Sequence, residues 1–197
     1  MSKDTPANQS NSKPSTTSRD PLTSPDLSYP IGRVQLLETI QLSNIESWIE
    51  DVRQSPLQLR RAVTDLSREQ LDTPYRPGGW TVRQVVHHLP DSHMNTYANF
   101  RLALTEENPQ ARQADVNVWA ELADSRTGDI QTSLEFFEGL QLRWADLMQT
   151  MSFEDFQRTL EFASRGKRSL ATLLGIYAWH GRHHVAHITE LRRRMGW

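Results

Sequence analysis

Four of the seven histidines of this chain lie within eight residues near its C-terminus. They are His180, His183, His184 and His187, in the segment YAWHGRHHVAHITELRRRM. If the segment is a helix, apolar residues and histidines recur every three or four positions on one inward face, which includes His180 and His184. Imidazoles four positions apart on a helix can converge on one point. The spacing therefore predicts two ligands of a metal ion.

The alternative to a metal site is a pair of core histidines. A single histidine on an apolar helix face is usually a hydrogen-bonded core residue. Two neighbouring buried imidazoles without a shared partner would leave several ring nitrogens unsatisfied, and this favours a bound ion. The chain has no HExxH motif, so the glutamate that acts as a base in many zinc proteases is missing.

The other three histidines, His87, His88 and His93, lie on a second predicted helix over residues 81–107. Its apolar residues also recur at helical spacing. Periodicity does not choose clearly among these three, so we expect one ligand from this helix and leave its identity open at this point. Pro90 removes one helical hydrogen bond and should bend the helix close to His88.

Composition limits the classes of protein to which the chain can belong. Its 197 residues are 37% hydrophobic, enough for one core. A net charge of -2 gives no general attraction to nucleic acid or to membranes. The absence of cysteine excludes disulfides, cysteine zinc sites and a cysteine nucleophile. No run of apolar residues approaches a membrane span or a signal-peptide core, so we expect a soluble, cytoplasmic protein.

Four long amphipathic helices are predicted in the region that follows a Ser/Thr/Pro-rich tail. The tail, residues 1–28, holds almost nothing to bury and is predicted to be disordered, with one folded domain over 29–197. The predicted helices cover residues 43–66, 81–107, 132–151 and 170–195. Pro56 should kink or split the first of them. No segment has a convincing strand pattern, and residues 164–168 are predicted to form a turn. The sequence thus predicts an all-α, antiparallel four-helix bundle.

The connection over residues 108–129 is longer than a helical bundle usually requires. We expect a short helix within it, around residues 116–122. In a bundle, inward histidines from facing helices can meet, and three protein nitrogens with one open position are the arrangement of catalytic zinc sites.

Two blocks of sequence resemble the YfiT-like branch of the DinB superfamily, a group described as metal-dependent hydrolases. They are DTPYRPGGWTVRQVVHHLPDSHMNTYANFRLALTEE at residues 72–107 and YAWHGRHHVAHITELRRRMGW at residues 177–197. The segments SYPIG at residues 28–32 and WAEL at residues 119–122 are also similar to that branch. The resemblance extends over residues 29–197 and leaves out the tail.

The resemblance implies a four-helix bundle that binds one divalent metal ion, zinc or nickel, through His88, His180 and His184. It also implies a homodimer in the cytoplasm. The chain departs from the branch at Pro90, which affects the direction of His88. It departs again at Gly181-Arg182, which adds a flexible residue and a cation close to the site.

The function implied by the resemblance is hydrolysis of a small-molecule substrate by metal-activated water. Asp91 and Glu190 are the nearest candidates for a general base, although such carboxylates are more often solvated or support a ligand. His87, His183 and His187 are candidates for acid–base or supporting roles.

Two other functions fit the same residues. One is a metal-dependent S-transferase that activates a low-molecular-weight thiol such as bacillithiol, glutathione or mycothiol, with Arg83 and Arg182 contributing to a basic pocket. The other is a bundle without enzymatic activity that the metal only stabilises, which requires a closed shell of ligands.

Overall fold

The computed structural model describes residues 26–197, and this part of the chain is mostly helical. Its elements in chain order are α1 (Leu42–Val63), α2 (Arg68–Leu71), α3 (Val82–Thr105), α4 (Val116–Ala120), α5 (Ala123–Thr127), α6 (Ile130–Gln149), α7 (Phe153–Gln157), β1 (Thr159–Phe162), β2 (Gly166–Ser169) and α8 (Leu170–Met195). The four long helices, α1, α3, α6 and α8, form a bundle, and this confirms the predicted all-α fold class.

The order of the helices around the bundle follows from their contacts. Helix α1 packs against α6 and α8, and α3 packs against the same two helices, so α1 and α3 lie diagonally. Helix α3 runs opposite to α8, because His93 contacts His180 while His88 lies beside His184. Helix α1 likewise runs opposite to α6, since Arg53 pairs with Asp146 whereas residue 60 pairs with residue 138. Two helices therefore run in each direction.

The long connection between α3 and α6 has a topological reason. These two helices run in the same direction, because His87 meets Ser133 near their first turns while Phe100 meets Trp144 further along both. The chain must therefore travel back along the bundle through residues 106–129 before α6 can begin. Helices α4 and α5 lie in this return segment, where the sequence predicted one short helix.

A polar layer crosses the interior between two apolar clusters. One cluster contains Phe100 and Trp144, and the other contains Leu89 and Phe137. The buried ring of His93 contacts Phe137 on one side and Trp144 on the other, with ring centroids 5.1 and 5.9 Å away. The bundle therefore places histidines at mid-height, surrounded by apolar packing.

Both prolines that the sequence singled out lie inside continuous helices, so the predicted split of α1 at Pro56 is wrong. Pro56 has no amide hydrogen to donate to the carbonyl of Val52. That carbonyl instead accepts hydrogen bonds from Ser55 Oγ at 2.8 Å and Gln141 Nε2 at 3.4 Å. Side chains thus replace the missing backbone donor and keep the helix intact.

A small antiparallel hairpin precedes α8, where the sequence predicted no strand. Strands β1 and β2 have four residues each and pair from Thr159 with Ser169 to Phe162 with Gly166. Only Leu160 on β1 is buried, so neither strand is long enough to show a clear alternation of apolar and polar residues. The turn predicted at residues 164–168 overlaps the end of this hairpin.

The described chain begins close to the histidines. Residues 1–25 of the predicted disordered tail lie outside the described residues. The carbonyl of Ser28 lies 3.3 Å from His187 Nε2, and the ring of Tyr29 lies 5.7 Å from that of His183. Ser28 and Tyr29 therefore lie against α8. Within residues 26–197, none of the helices is both long and apolar enough to cross a membrane.

Candidate metal centre

Three imidazoles from two facing helices converge at one point. A ring nitrogen from each of His88, His180 and His184 lies within 4.8 Å of the other two. His180 Nε2 is 3.2 Å from His88 Nε2 and 3.1 Å from His184 Nε2. A tetrahedral ion with metal–nitrogen bonds of about 2.0–2.1 Å holds its ligand nitrogens about 3.3 Å apart. The spacing of these nitrogens therefore fits a divalent metal ion.

The close packing of α8 on α1 supports this convergence. A Cβ at Gly181 would lie 3.3 Å from Ser55 Cβ, so the absence of a side chain allows the two helices to approach. Gly181 is thus a packing residue in a continuous helix. Arg182 forms an ion pair with Asp51 at 2.6 Å, so its charge is already engaged on α1.

Burial keeps these imidazoles uncharged. Removal from water lowers the pKa of His88 to about 4 and lowers the pKa of His180 and of His184 well below 6.5. Neighbouring histidines lower these pKa values further, because adjacent positive charges repel. At neutral pH each ring therefore offers a lone pair, which is the form that binds a metal.

A chain of polar contacts, here called the polar relay, links His180 to the opposite side of the bundle. His180 Nδ1 lies 3.2 Å from His93 Nε2. Burial lowers the pKa of His93 to about 3, although the facing Gln141 side chain favours its charged form. Gln141 Nε2 then donates to Ser55 Oγ at 2.8 Å, and Ser55 Oγ donates to the carbonyl of Val52. The relay joins α8, α3, α6 and α1.

The polar relay determines which nitrogen of His180 is free. If Nε2 presents its lone pair to a metal, the proton of the neutral ring is on Nδ1 and is donated to His93. His93 Nδ1 and Gln141 Oε1, a donor and an acceptor, are both buried, and neither has a hydrogen-bond partner among the described residues. The direction of donation is therefore the same at each hydrogen bond of the relay, from His180 to His93 and from Gln141 through Ser55 to Val52.

A cleft of about 290 Å³ opens beside His184. Its walls combine aromatic rings, histidines and one arginine. The main residues are Tyr29, Tyr75, Trp80, Arg76, His183, His184 and His187. His184 belongs both to the three converging histidines, here called the triad, and to the wall of the cleft, so the cleft lies next to the candidate metal site.

The two carboxylates that the sequence suggested as bases do not line this cleft. Burial, with a contribution from Asp124, raises the pKa of Asp91 to about 6. Glu190 accepts two hydrogen bonds from Arg193, and these bonds lower its pKa. Glu190 is therefore held as a carboxylate in a surface ion pair.

The remaining histidines differ in their surroundings. His87 lies away from the cleft, with Nδ1 2.7 Å from Ser133 Oγ. His187 stacks on Tyr75 with ring centroids 3.9 Å apart, and His183 stacks on Trp179 at 4.3 Å. His183 and His187 line the cleft, and burial lowers the pKa of each to about 4.

Sequence reasoning missed three residues around the site. Gln141 had a readable signal, because it is a polar residue between Phe137 and Trp144 on the inward face of α6. Arg76 and Trp80 enter the cleft from the turn before α3, and only the neighbouring Pro-Gly-Gly marked that region as a loop. The basic residue of the cleft is Arg76, since the expected Arg83 pairs with Asp72 at 2.7 Å.

Most of the chain is similar in sequence to known proteins. The sequence profile of the DinB superfamily matches residues 52–188. Proteins from Bacillus cereus strain AH820 and Bacillus anthracis strain A0248, each named "Putative metal-dependent hydrolase", are 48% identical over 172 residues. Each alignment covers 87% of this chain and 99% of the relative.

A solved structure has the same architecture. YfiT from Bacillus subtilis, described as "a probable metal-dependent hydrolase with an unusual four-helix bundle topology", superposes with a TM-score of 0.85 at 48% identity. The match covers 87% of this chain and 99% of YfiT. The resemblance found in the sequence is therefore confirmed.

Proposed function

Because this chain belongs to the YfiT-like branch of the DinB superfamily, we propose that it is a hydrolase that depends on one divalent metal ion. The observation that supports this proposal is the convergence of three neutral imidazoles beside an open cleft. We assign His88, His180 and His184 as the ligands. His93 is excluded because its Nε2 contacts the other ring nitrogen of His180. Zinc and nickel are both suited to imidazole ligands.

The chemistry of the site follows from the positions of its residues. A divalent ion, when bound, lowers the pKa of water and polarises a carbonyl group. The cleft receives the substrate beside His184, between the rings of Tyr29, Tyr75 and Trp80. The protein must also supply a group that accepts a proton.

We assign proton transfer to His183 rather than to Asp91 or Glu190. A general base must come within hydrogen-bonding reach of the substrate or of water in the site. His183 lines the cleft next to His184 and is uncharged at neutral pH, because burial lowers its pKa to about 4. His187 lines the cleft too, but its Nε2 is directed at the Ser28 carbonyl.

Replacement of His183 by glutamine is expected to reduce kcat about 100-fold while the metal content stays unchanged. The glutamine keeps a polar group in the cleft but has no ring nitrogen that can accept a proton. Asp91→Asn serves as the control and should keep kcat within about twofold, because Asp91 does not line the cleft. Steady-state kinetics and metal analysis of both variants test this assignment, and the opposite ranking would transfer the role to Asp91.

The experiment that tests the proposed function compares metal-loaded and metal-stripped protein. Each is assayed with a panel of nitrophenyl esters and nitroanilides, with His184→Ala as a third sample. Metal-dependent turnover that is absent from His184→Ala supports a hydrolase. Equal rates in all three samples, or no rate above buffer, would contradict it.

Transfer of a low-molecular-weight thiol is a second candidate function. The observation in its favour is the arginine of the cleft, because thiols such as bacillithiol and glutathione carry carboxylates that Arg76 could bind. Arg83 and Arg182, which the sequence suggested for this role, pair with Asp72 and Asp51 instead. Metal-dependent conjugation of monobromobimane with bacillithiol, glutathione or mycothiol would support transfer, and background rates with all three would exclude it.

Substitution of His93 tests the role of the polar relay. His93→Leu removes the acceptor for His180 Nδ1 and is expected to weaken zinc binding about 10- to 100-fold. His93→Gln keeps an amide that can accept this hydrogen bond and should restore part of the affinity. Competition with a zinc-binding dye measures both constants. Equal zinc affinity in wild type and His93→Leu would mean that the relay only fills the core.

Three expectations from the sequence stay predictions. The cytoplasmic location and the homodimer are implied by the family resemblance, and light scattering after gel filtration tests the second. A bundle that the metal only stabilises, without catalysis, requires a sealed site. The cleft beside His184 favours the enzymatic functions over this third one.

A further inference from the structure

The cleft beside His184 has an uneven charge distribution. Among the described residues that line it, Arg76 carries a permanent positive charge and no aspartate or glutamate is present. Its other polar groups, such as Asn117, are neutral. An anionic ligand would therefore meet an attractive charge without an opposing carboxylate.

A tight turn fixes Arg76 at the wall of the cleft. The amide of Gly79 donates to the carbonyl of Arg76 at 2.9 Å, and Gly78 has a φ of +67°. A Cβ at Gly79 would lie 2.8 Å from Arg76 Cγ, so the arginine stem occupies the space that a side chain at Gly79 would need. The turn thus positions Arg76 before any ligand arrives, which lowers the entropic cost of binding.

The guanidinium of Arg76 lacks an acidic partner in the part of the chain that the structure describes. Its one hydrogen bond there is from Nη1 to the carbonyl of Pro77 at 3.1 Å, and its Nε is buried without any partner. An unsatisfied buried donor on a charged group is costly. A ligand with an anionic oxygen would supply an acceptor for the guanidinium, which has only the Pro77 carbonyl among the described residues.

We infer that the substrate of the cleft is a small organic anion, and that Arg76 binds its carboxylate or phosphate group. The rings of Tyr29, Tyr75 and Trp80 form the remaining walls and suit an apolar or aromatic body. This inference rests on the proposed function only in placing the reacting bond beside His184. Arg76 then determines which molecules enter and how they are oriented.

The test is a binding titration that requires no turnover. Full-length zinc-loaded protein labelled with ¹⁵N is titrated with benzoate, phenyl phosphate and the neutral analogue benzamide, and the amide signals of Gly78 and Gly79 are followed. Benzoate or phenyl phosphate should give saturable shifts, with benzamide about tenfold weaker or more. Arg76→Gln should lose this preference for the anion. Arg126→Gln is the matched control, because neither Arg126 nor its partner Glu121 lines the cleft, and this variant should bind as the wild type does.

Two further comparisons separate the possible results. Gly79→Ala keeps the charge but crowds the stem of Arg76, and it should weaken anion binding as well. Repeating the titration after zinc removal separates binding at Arg76 from coordination to zinc. Equal affinity for benzoate and benzamide, or unchanged anion binding by Arg76→Gln, would overturn the inference. The titration measures no hydrolysis, so a failed activity screen would not affect a measured preference for anions. Conversely, metal-dependent hydrolysis by a protein without this preference would overturn only the inference about Arg76.

Discussion

Replacement of His88 or His184 by alanine is expected to reduce the metal content from about one divalent ion per chain to nearly none. Each change leaves two imidazoles, and two neutral ligands hold a divalent ion far more weakly than three do. His88 lies on α3 and His184 on α8. Loss of the ion in both variants would therefore show that both helices supply ligands. Plasma mass spectrometry of protein purified without an affinity tag gives the ratio of metal to chain.

The control for this experiment is His87→Ala. His87 is adjacent to His88 on α3 and is also buried, but its Nδ1 contacts Ser133 and lies outside the triad. It should therefore keep its metal while suffering a similar loss of packing. Circular dichroism of all variants shows whether the bundle remains folded. A wild-type protein that contains no metal and takes up none would identify the triad as core packing and remove the basis for both enzymatic functions.

The helical pattern predicted the bundle and most of the triad because helix periodicity determines which residues face inward. The sequence gives the bounds of α8 correctly, since Ser169 accepts a hydrogen bond from Thr172 at its start and Gly196 ends it with a φ of +72°. It also identifies His180 and His184 as inward. The choice between His88 and His93 came from the family resemblance, because both lie on the inner side of α3 and both are buried.

The sequence could not predict the contacts that depend on how distant elements meet. His88 approaches Nε2 of His180, whereas His93 approaches its Nδ1. This difference depends only on how far α3 is shifted along α8. The cleft likewise arises from the turn before α3, the N-terminal segment and α8. Arg76 could not be separated from the chain's other arginines by local pattern, since what distinguishes it is its place in the wall of the cleft.

Acidification is expected to destabilise the metal-free protein. Burial lowers the pKa of His88 to about 4 and that of His93 to about 3, whereas a histidine of the unfolded chain has a pKa near 6.5. The unfolded state therefore binds more protons between these pH values. The stability due to neutral histidines is fully present above about pH 6.5 and is lost as the pH falls toward about 4. Between about pH 7.5 and 5.5, His88 and His93 together should lower the free energy of unfolding by about 3 kcal/mol.

Other groups change how steeply the free energy of unfolding falls with pH, but they do not reverse the direction. His180 and His184 also have lowered pKa values and add to the loss. Asp91 acts in the opposite sense, because its raised pKa of about 6 makes the folded state take up a proton as the pH falls. One such carboxyl offsets only part of the effect of several histidines. Urea unfolding of metal-free protein at several pH values measures the slope, and His93→Gln should make it shallower by up to about 1.4 kcal/mol per pH unit. A free energy of unfolding that stays constant down to about pH 5.5 would mean that the buried imidazoles take up protons as easily as exposed ones.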